Sequence, residues 1–283
     1  MEKKTFQKIV KAVAIALAIF IIFTIVSTIL SITFTIFGGN LLFNLIGQNS
    51  EIVTVNEEKI ENVFDIEQVK NLNINTSIEN VEILRGENEF RVVAENIAGK
   101  YKCDVTDETL NIQSKVDKKV NINSQSKIKI YIPKDFVFDS AKVKLGLGDT
   151  DIDSLAAQDL SIECGTGKVD MKYLEAQESC DISCGVGKVD IQNANLSNLQ
   201  LEAGVGKIDI SSALKGQCDV EAGVGELNLR ILEFNEEDSK ILIDKGIGSF
   251  NVNGKSTSLE KIGNGTNTTI KIEGGVGAIN LEY

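Results

Sequence analysis

A chain of 283 residues, 42% hydrophobic and 25% charged, holds enough apolar material to bury a core and is too well mixed for wholesale disorder. It has no histidine, which removes Ser-His-Asp and Cys-His catalysis, His-ligated zinc or haem and imidazole acid–base chemistry; with no tryptophan and only 4 tyrosines, aromatic platforms for sugars and bases are scarce. The formal net charge of −12 argues against nucleic acid as a partner.

The first predicted element is a membrane-spanning helix. Lys3, Lys4, Lys8 and Lys11 precede an uncharged stretch from Ala12 to Ser50, and Ala12 to Phe37 is apolar apart from scattered Thr and Ser. At about 1.5 Å per residue that segment reaches roughly 39 Å, enough to cross a hydrocarbon core of about 30 Å with some tilt. The hydroxyls of Thr24, Ser27, Thr28, Ser31, Thr33 and Thr35 can bond back to the preceding turn, and Gly38, Gly39 and Asn40 end the helix. The four lysines place residues 1–11 in the cytoplasm as a basic stub and everything after the span outside, as a single-pass protein of the cell membrane. A cleaved signal peptide would carry a shorter apolar region and a small-x-small site, neither of which is present, so an uncleaved anchor is expected. No cysteine precedes Cys103, so a lipobox is also missing.

Residues 38–59 read as a juxtamembrane linker or cap. Beyond residue 50 there are 25 basic and 40 acidic residues, a net charge of −15, which favours cations or basic partners over anionic ones. Alternating apolar and polar residues then predict strands at Val69 to Ile74, Val81 to Leu84, Phe90 to Ala94, Leu110 to Ile112 and Ile128 to Ile132, closed by the only proline, Pro133. Ser77 to Ile83 shares the frame of a repeat that becomes regular further on.

That repeat is GLGDTDI from Gly146, GTGKVDM from Gly165, GVGKVDI from Gly185, GVGKIDI from Gly204 and GVGELNL from Gly223, followed by GIGSFNV from Gly246 and GVGAINL from Gly275. The first glycines are 19, 20, 19, 19, 23 and 29 residues apart. A rung of about 19 residues with period-two alternation on both sides of Gly-x-Gly is the signature of a parallel β-solenoid. In it Leu160, Ile162, Cys164, Val169 and Met171 face inward and stack on Cys180, Ile182, Cys184, Val189 and Ile191, then on Leu199, Leu201, Ala203, Ile208 and Ile210. Gly-x-Gly marks a tight corner; a phosphate loop would be followed by a helix, and here a strand follows.

The outward columns Lys168, Lys188, Lys207 and Asp170, Asp190, Asp209 alternate in sign, as weak surface pairs do. Asp170, Asp190 and Asp209 with Glu163, Glu202 and Glu221 form the one conceivable cation-binding face, although the calcium nonapeptide pattern is absent. Cys164, Cys180, Cys184 and Cys218 fall in inward columns as small fillers; Cys164 and Cys184 sit on adjacent rungs, whereas Cys180 and Cys218 are two rungs apart. The stack leaves an unpaired edge at each end. Residues 47–68 are available to cover the first; the strand ending at Tyr283 is expected to form the second, covered by Leu232 to Ser239 and Gly254 to Thr269 or open to an edge-strand partner.

Ile130-Tyr-Ile-Pro-Lys134, followed by a strand and then the Gly-x-Gly-x-x-Asp-Ile copies, resembles the bacterial candidate-adhesin β-strand repeat family, a domain of unknown function, over roughly residues 60 to 283. The resemblance implies a β-solenoid outside the membrane, members often lying behind a membrane span or within envelope-stress operons, and no established catalytic residue. The lengthened turns near Asn235 and Gly254 depart from tidier members.

The expectation is an all-β chain, a single-stack parallel β-solenoid at 60–283 with regular repeats at 146–283, behind one transmembrane helix. Functionally it reads as a non-catalytic, membrane-anchored scaffold or adhesin-like binding module of the bacterial cell envelope. An unknown envelope protein or glycan is the expected ligand, and no catalytic, cofactor or metal residue is assigned. The alternatives are an accessory of envelope-stress signalling and a β-helix carbohydrate-active enzyme with acidic groups on one outer face.

Overall fold

The computed structural model describes residues 59–86, 88–116 and 126–283; the expected stub, the span at 12–37 and the linker up to residue 58 lie outside them. Among the described residues no helix is long and apolar enough to cross a membrane. What is described is all-β apart from a 3-10 turn at Ile66–Gln68. In chain order the strands are β1 (Lys59–Phe64), β2 (Asn71–Thr76), β3 (Asn80–Arg85), β4 (Phe90–Glu95), β5 (Lys100–Thr106), β6 (Thr109–Lys115), β7 (Lys127–Ile132), β8 (Phe138–Leu147), β9 (Thr150–Ile152), β10 (Leu155–Met171), β11 (Leu174–Ser197), β12 (Leu199–Lys215), β13 (Gln217–Leu232), β14 (Ser239–Asp244), β15 (Ile247–Val252), β16 (Lys255–Ser256), β17 (Lys261–Gly263) and β18 (Thr268–Glu282).

The long strands β10 to β13 each hold two arms joined at Gly-x-Gly, and they pair in parallel with every repeat in step: Leu160 on Cys180 on Leu199, Val169 on Val189 on Ile208, Ile208 on Leu227. Alternation dictates this register, because a slip by one residue would turn the whole aliphatic set outward. Val189, Ile191, Leu201 and Ile208 are accordingly buried, and their ladders form one continuous core. Lys188, Asp190 and Lys207, expected outside, are only half exposed, since each is shielded by the side chains one strand spacing away in its own column.

The order of layers departs from the order of the sequence at both ends. On one arm the layers run β6, β2, β8, β10, β11, β12, β13, β18, β14. On the other they run β7, β3, β9, the second halves of β10 to β13 and of β18, and then β15. β2 and β3 are thus wedged between later strands. The expectation that the chain's last strand forms the free edge is corrected: β18 is sandwiched between β13 on one side and β14 and β15 on the other. Every Gly-x-Gly copy matches every other in register, so the repeat alone does not rank its neighbours; the long intervals before Gly246 and Gly275 supply the slack for the exchange.

Antiparallel strands lie outside the terminal layers. β5 pairs with β6, β4 with β7 and β1 with β4 at one end, and β17 pairs with β14 and β16 with β15 at the other. These short reversals occupy backbone groups that a parallel stack leaves open. Part of the expected first cap, β1, is in place; β4 and β5 also serve there. Within the segment Gly254 to Thr269 the covering strands are β16 and β17.

The corner is the tightest point. Gly206 has φ +145, and a Cβ built on it would lie 1.9 Å from the carbonyl oxygen of Gly187 in the layer beneath. Gly206→Ala should therefore lose about 3 kcal/mol or more, combining backbone strain with an overlap that no rotamer relieves. Gly254, with φ +74 but nothing within 4 Å of an added methyl, should lose only about 1 kcal/mol on the same substitution. Urea unfolding of the two variants checks this, and equal losses would show that the corner tolerates a side chain.

Candidate functional site

The six carboxylates considered for a cation site do not converge. Asp170, Asp190 and Asp209 stack in one column on the second arm, and Glu163, Glu202 and Glu221 belong to another column on the first arm, interrupted by Ser183. The aspartate column is flanked by lysines, one of which bridges two layers. Lys168 pairs with Asp170, Lys188 reaches Asp190 at 3.2 Å and Asp209 at 3.7 Å, and Lys207 reaches Asp209 at 3.4 Å and Glu226 at 3.5 Å.

Where the aspartates end, amides take over. Asn228 donates to Asp209 at 2.5 Å, Asn280 to Asn228 at 2.7 Å and Asn251 to Asn280 at 2.8 Å, one bond per layer. From Asp190 to Asn251 the column is a polar ladder linked layer to layer, and each of the three aspartates meets at least one lysine. On the first arm, Glu202, Glu221, Glu273 and Asp244 follow one another on adjacent layers and are all exposed. Among the described residues no group of three acidic, cysteine or histidine side chains is placed to hold a metal ion.

The middle residues of the corners form an apolar column that sequence reading passed over: Leu147, Thr166, Val186, Val205, Val224, Val276 and Ile247, in register layer by layer. Leu147, Val186 and Ile247 are 44%, 42% and 59% exposed. The slot beside them, between the glycine columns and Val169, Val189, Ile208 and Leu227, has a free volume of about 40 Å³. A water needs roughly 10–15 Å³ in this measure, so the slot takes a few waters and no acyl chain.

A larger opening, about 230 Å³, lies on another side, where Arg85 meets residues of four different layers. Sequence reading assigned nothing here, because its walls come from Pro133, Asp135, Phe136, Val137, Ala156 and Glu175 among others, far apart along the chain.

At the second-layer corner, Ser77-Ile78-Glu79 replaces Gly-x-Gly. The buried Glu79 carboxylate accepts from the amide N–H groups of Ser77 and Ile78 at 3.0 Å each and from the Ser114 hydroxyl at 2.5 Å. This replaces by side chain what glycine achieves by backbone shape.

All five cysteines are free thiols. Cys164 and Cys184 stack in register, and Cys180 is separated from Cys218 by Leu199, as the repeat spacing implied. Burial pushes the Cys103 thiol up from 9.0 to about 11, and burial raises Cys180 and Cys218 as well.

The profile of the Toastrack DUF4097 family matches residues 69–272. Among solved structures the chain is similar to a candidate cell adhesion protein from Clostridium sporogenes, at 19% identity over 80% of this chain and 98% of that one, with a TM-score of 0.35. It is also similar to a candidate adhesin from Bacteroides fragilis, at 17% identity over 80% and 98% with a TM-score of 0.32. A candidate lipid-binding protein from Parabacteroides distasonis matches at 16% identity over 80% and 97%, with a TM-score of 0.32. No curated protein matches the chain.

The thiols generate a pH prediction. A thiol whose folded pKa is raised contributes stability fully below its unfolded value and loses it as pH climbs toward the folded value. For Cys103 that window runs from 9.0 to about 11, with Cys180 and Cys218 acting in the same direction. The denaturation midpoint should fall as pH rises through this window, and the slope should lessen in Cys103→Ala; an unchanged slope would show that the thiol is not desolvated.

Proposed function

On the premise that this chain belongs to the Toastrack DUF4097 family, we propose that it is a non-catalytic β-repeat scaffold of the bacterial cell envelope, anchored by residues 12–37 and displaying its β-stack outside the membrane as an adhesin-like binding module. The observation that carries this reading is the engagement of outward charge in ladders. Lys188 bridges Asp190 to Asp209, Lys168 and Lys207 pair with Asp170 and Asp209, and asparagines continue the line, so this face repeats with the strand spacing as a fixed pattern. Among the described residues nine parallel layers at about 4.8 Å make a stiff element roughly 38 Å from first to last layer. Rigid repetition suits presentation of one surface to a large partner, and a glycan or an envelope protein is the ligand class it would meet.

Anchoring rests on the sequence: four lysines, then an apolar segment long enough to span, then an acidic domain that anionic headgroups on either leaflet would repel. The edge-strand partner expected at Tyr283 has no place in this reading, because β18 is paired on both sides.

Protease added to intact protoplasts carrying the full chain with a C-terminal tag should remove the tag and degrade the β-domain, leaving a short membrane-held fragment. Complete protection would overturn the topology. Turnover of a cell-wall glycan by the full chain, lost on substituting Asp170, Asp190 or Asp209, would overturn the non-catalytic part.

A further inference from the structure

The two wedged layers leave matching gaps in the stack. Regular layers run on from the second arm into a third short strand: Leu155 to Ala157 pairs with Leu174 to Ala176, and Ala194 to Ser197 with Ser212 to Lys215. The layers of β3 and β18 do not. β3 gives way at Gly86 to the antiparallel β4, and β18 runs to Glu282, so among the described residues neither layer shows that third strand. The link leaving the neighbouring layer has to step past each. Residues 133–137 connect β7 to β8 past the end of β3, and residues 233–238 connect β13 to β14 past the end of β18.

The same register column identifies the residue at each gap. Glu82 stacks through Asp151, Asp170, Asp190, Asp209 and Asn228 to Asn280, and three residues further on stand Arg85 in the first gap and Tyr283 in the second. The second gap is filled from within the chain. The Tyr283 ring meets Phe234 at 4.9 Å and 65°, with its hydroxyl 3.5 Å from Glu236. The first gap has a guanidinium where its twin has a ring, and it is open, with a volume of about 230 Å³.

Its walls are held in place. Phe136 is locked edge-on against Phe90 and Phe138 at 4.9 Å each, beside Pro133 and Val137, which gives an apolar surface. Opposite in chemistry are Arg85, Asp135, Glu175 and Tyr173, whose hydroxyl donates to Glu175 at 2.7 Å. Arg85 makes no salt bridge with any described residue.

A guanidinium offers a planar fork that matches a carboxylate. A bare anion would meet the two nearby carboxylates, so the favoured ligand also brings hydroxyls to donate to Asp135 and Glu175. The volume lies below the roughly 300 Å³ at which pockets for drug-sized molecules begin, so it suits one ring and not an oligomer. We propose that this pocket binds a single carboxylate-bearing sugar ring, a hexuronic acid. Arg85 takes the carboxylate, Asp135 and Glu175 take hydroxyls, and Phe136 with Pro133 and Val137 takes the C–H face. It is a site separate from the charged ladders, and it would bind its ligand whichever side of a membrane the domain occupies.

The test is calorimetric titration of the full chain in detergent micelles with D-galacturonate, D-galactose and trigalacturonate. Galacturonate should bind with millimolar affinity and exceed galactose about ten-fold or more, the margin of one charge-assisted bidentate contact. Arg85→Gln, at an exposed side chain, should reduce galacturonate binding about ten-fold or more with the melting transition unmoved, and Ala156→Leu should block the pocket. Trigalacturonate binding as well as the monomer identifies the ring as a chain end; binding of the monomer alone identifies a free sugar acid. No binding of either acid up to about 50 mM, equal binding of galactose and galacturonate, or full binding in Arg85→Gln would overturn the proposal.

Discussion

Each layer of the stack rests on the next through backbone at the corner. At Gly-x-Gly the carbonyl of one layer occupies the space where a side chain of the next would begin, so the layers reach strand spacing only if both glycine columns stay bare. The remaining architecture follows. With the corners in contact, both arms are held in one register, inward residues meet their own kind, and outward residues meet theirs. The exception is Glu79, which stands where the second glycine would be and turns its carboxylate back on the amides of Ser77 and Ile78.

Forced self-stacking sets the electrostatics. A column of identical aspartates at about 4.8 Å would repel itself, and the neighbouring lysine column answers: Lys188 reaches Asp190 and Asp209 at once, and Lys207 reaches Asp209. Asparagine is the neutral solution to the same problem, donating one way and accepting the other along Asp209, Asn228, Asn280 and Asn251. The inward side of the corner is solved by size. Its column runs Leu145, Cys164, Cys184, Ala203, Ala222 and Gly274, and the reduced bulk leaves only the thin slot beside the glycines.

The regular layers were legible because their signal is local. Period-two alternation and a fixed 19-residue interval gave the register of β10 to β13 and the inward set around Val189 and Ile208. The antiparallel strands β1 and β5 were missed, and the order of the end layers was not readable, since adjacency in space is decided by which link can step over which layer. For the same reason the carboxylate columns could be named from the repeat while the Arg85 pocket could not. A repeat shows what recurs; the pocket exists where recurrence fails, between a missing third strand and the link that bypasses it.

Interlocking at the two ends also governs how such a chain can change length over generations. A duplicated 19-residue unit inserted from β10 to β13 meets neighbours of the same register above and below and lengthens the stack without disturbing either terminus. A unit added before β2 or after β18 finds no vacant layer, because those strands already lie inside the pile. Growth by repeat gain is therefore confined to the middle, and the Arg85 pocket, whose walls reach no further along the chain than Glu175 of β11, stays intact whenever the added unit follows that residue.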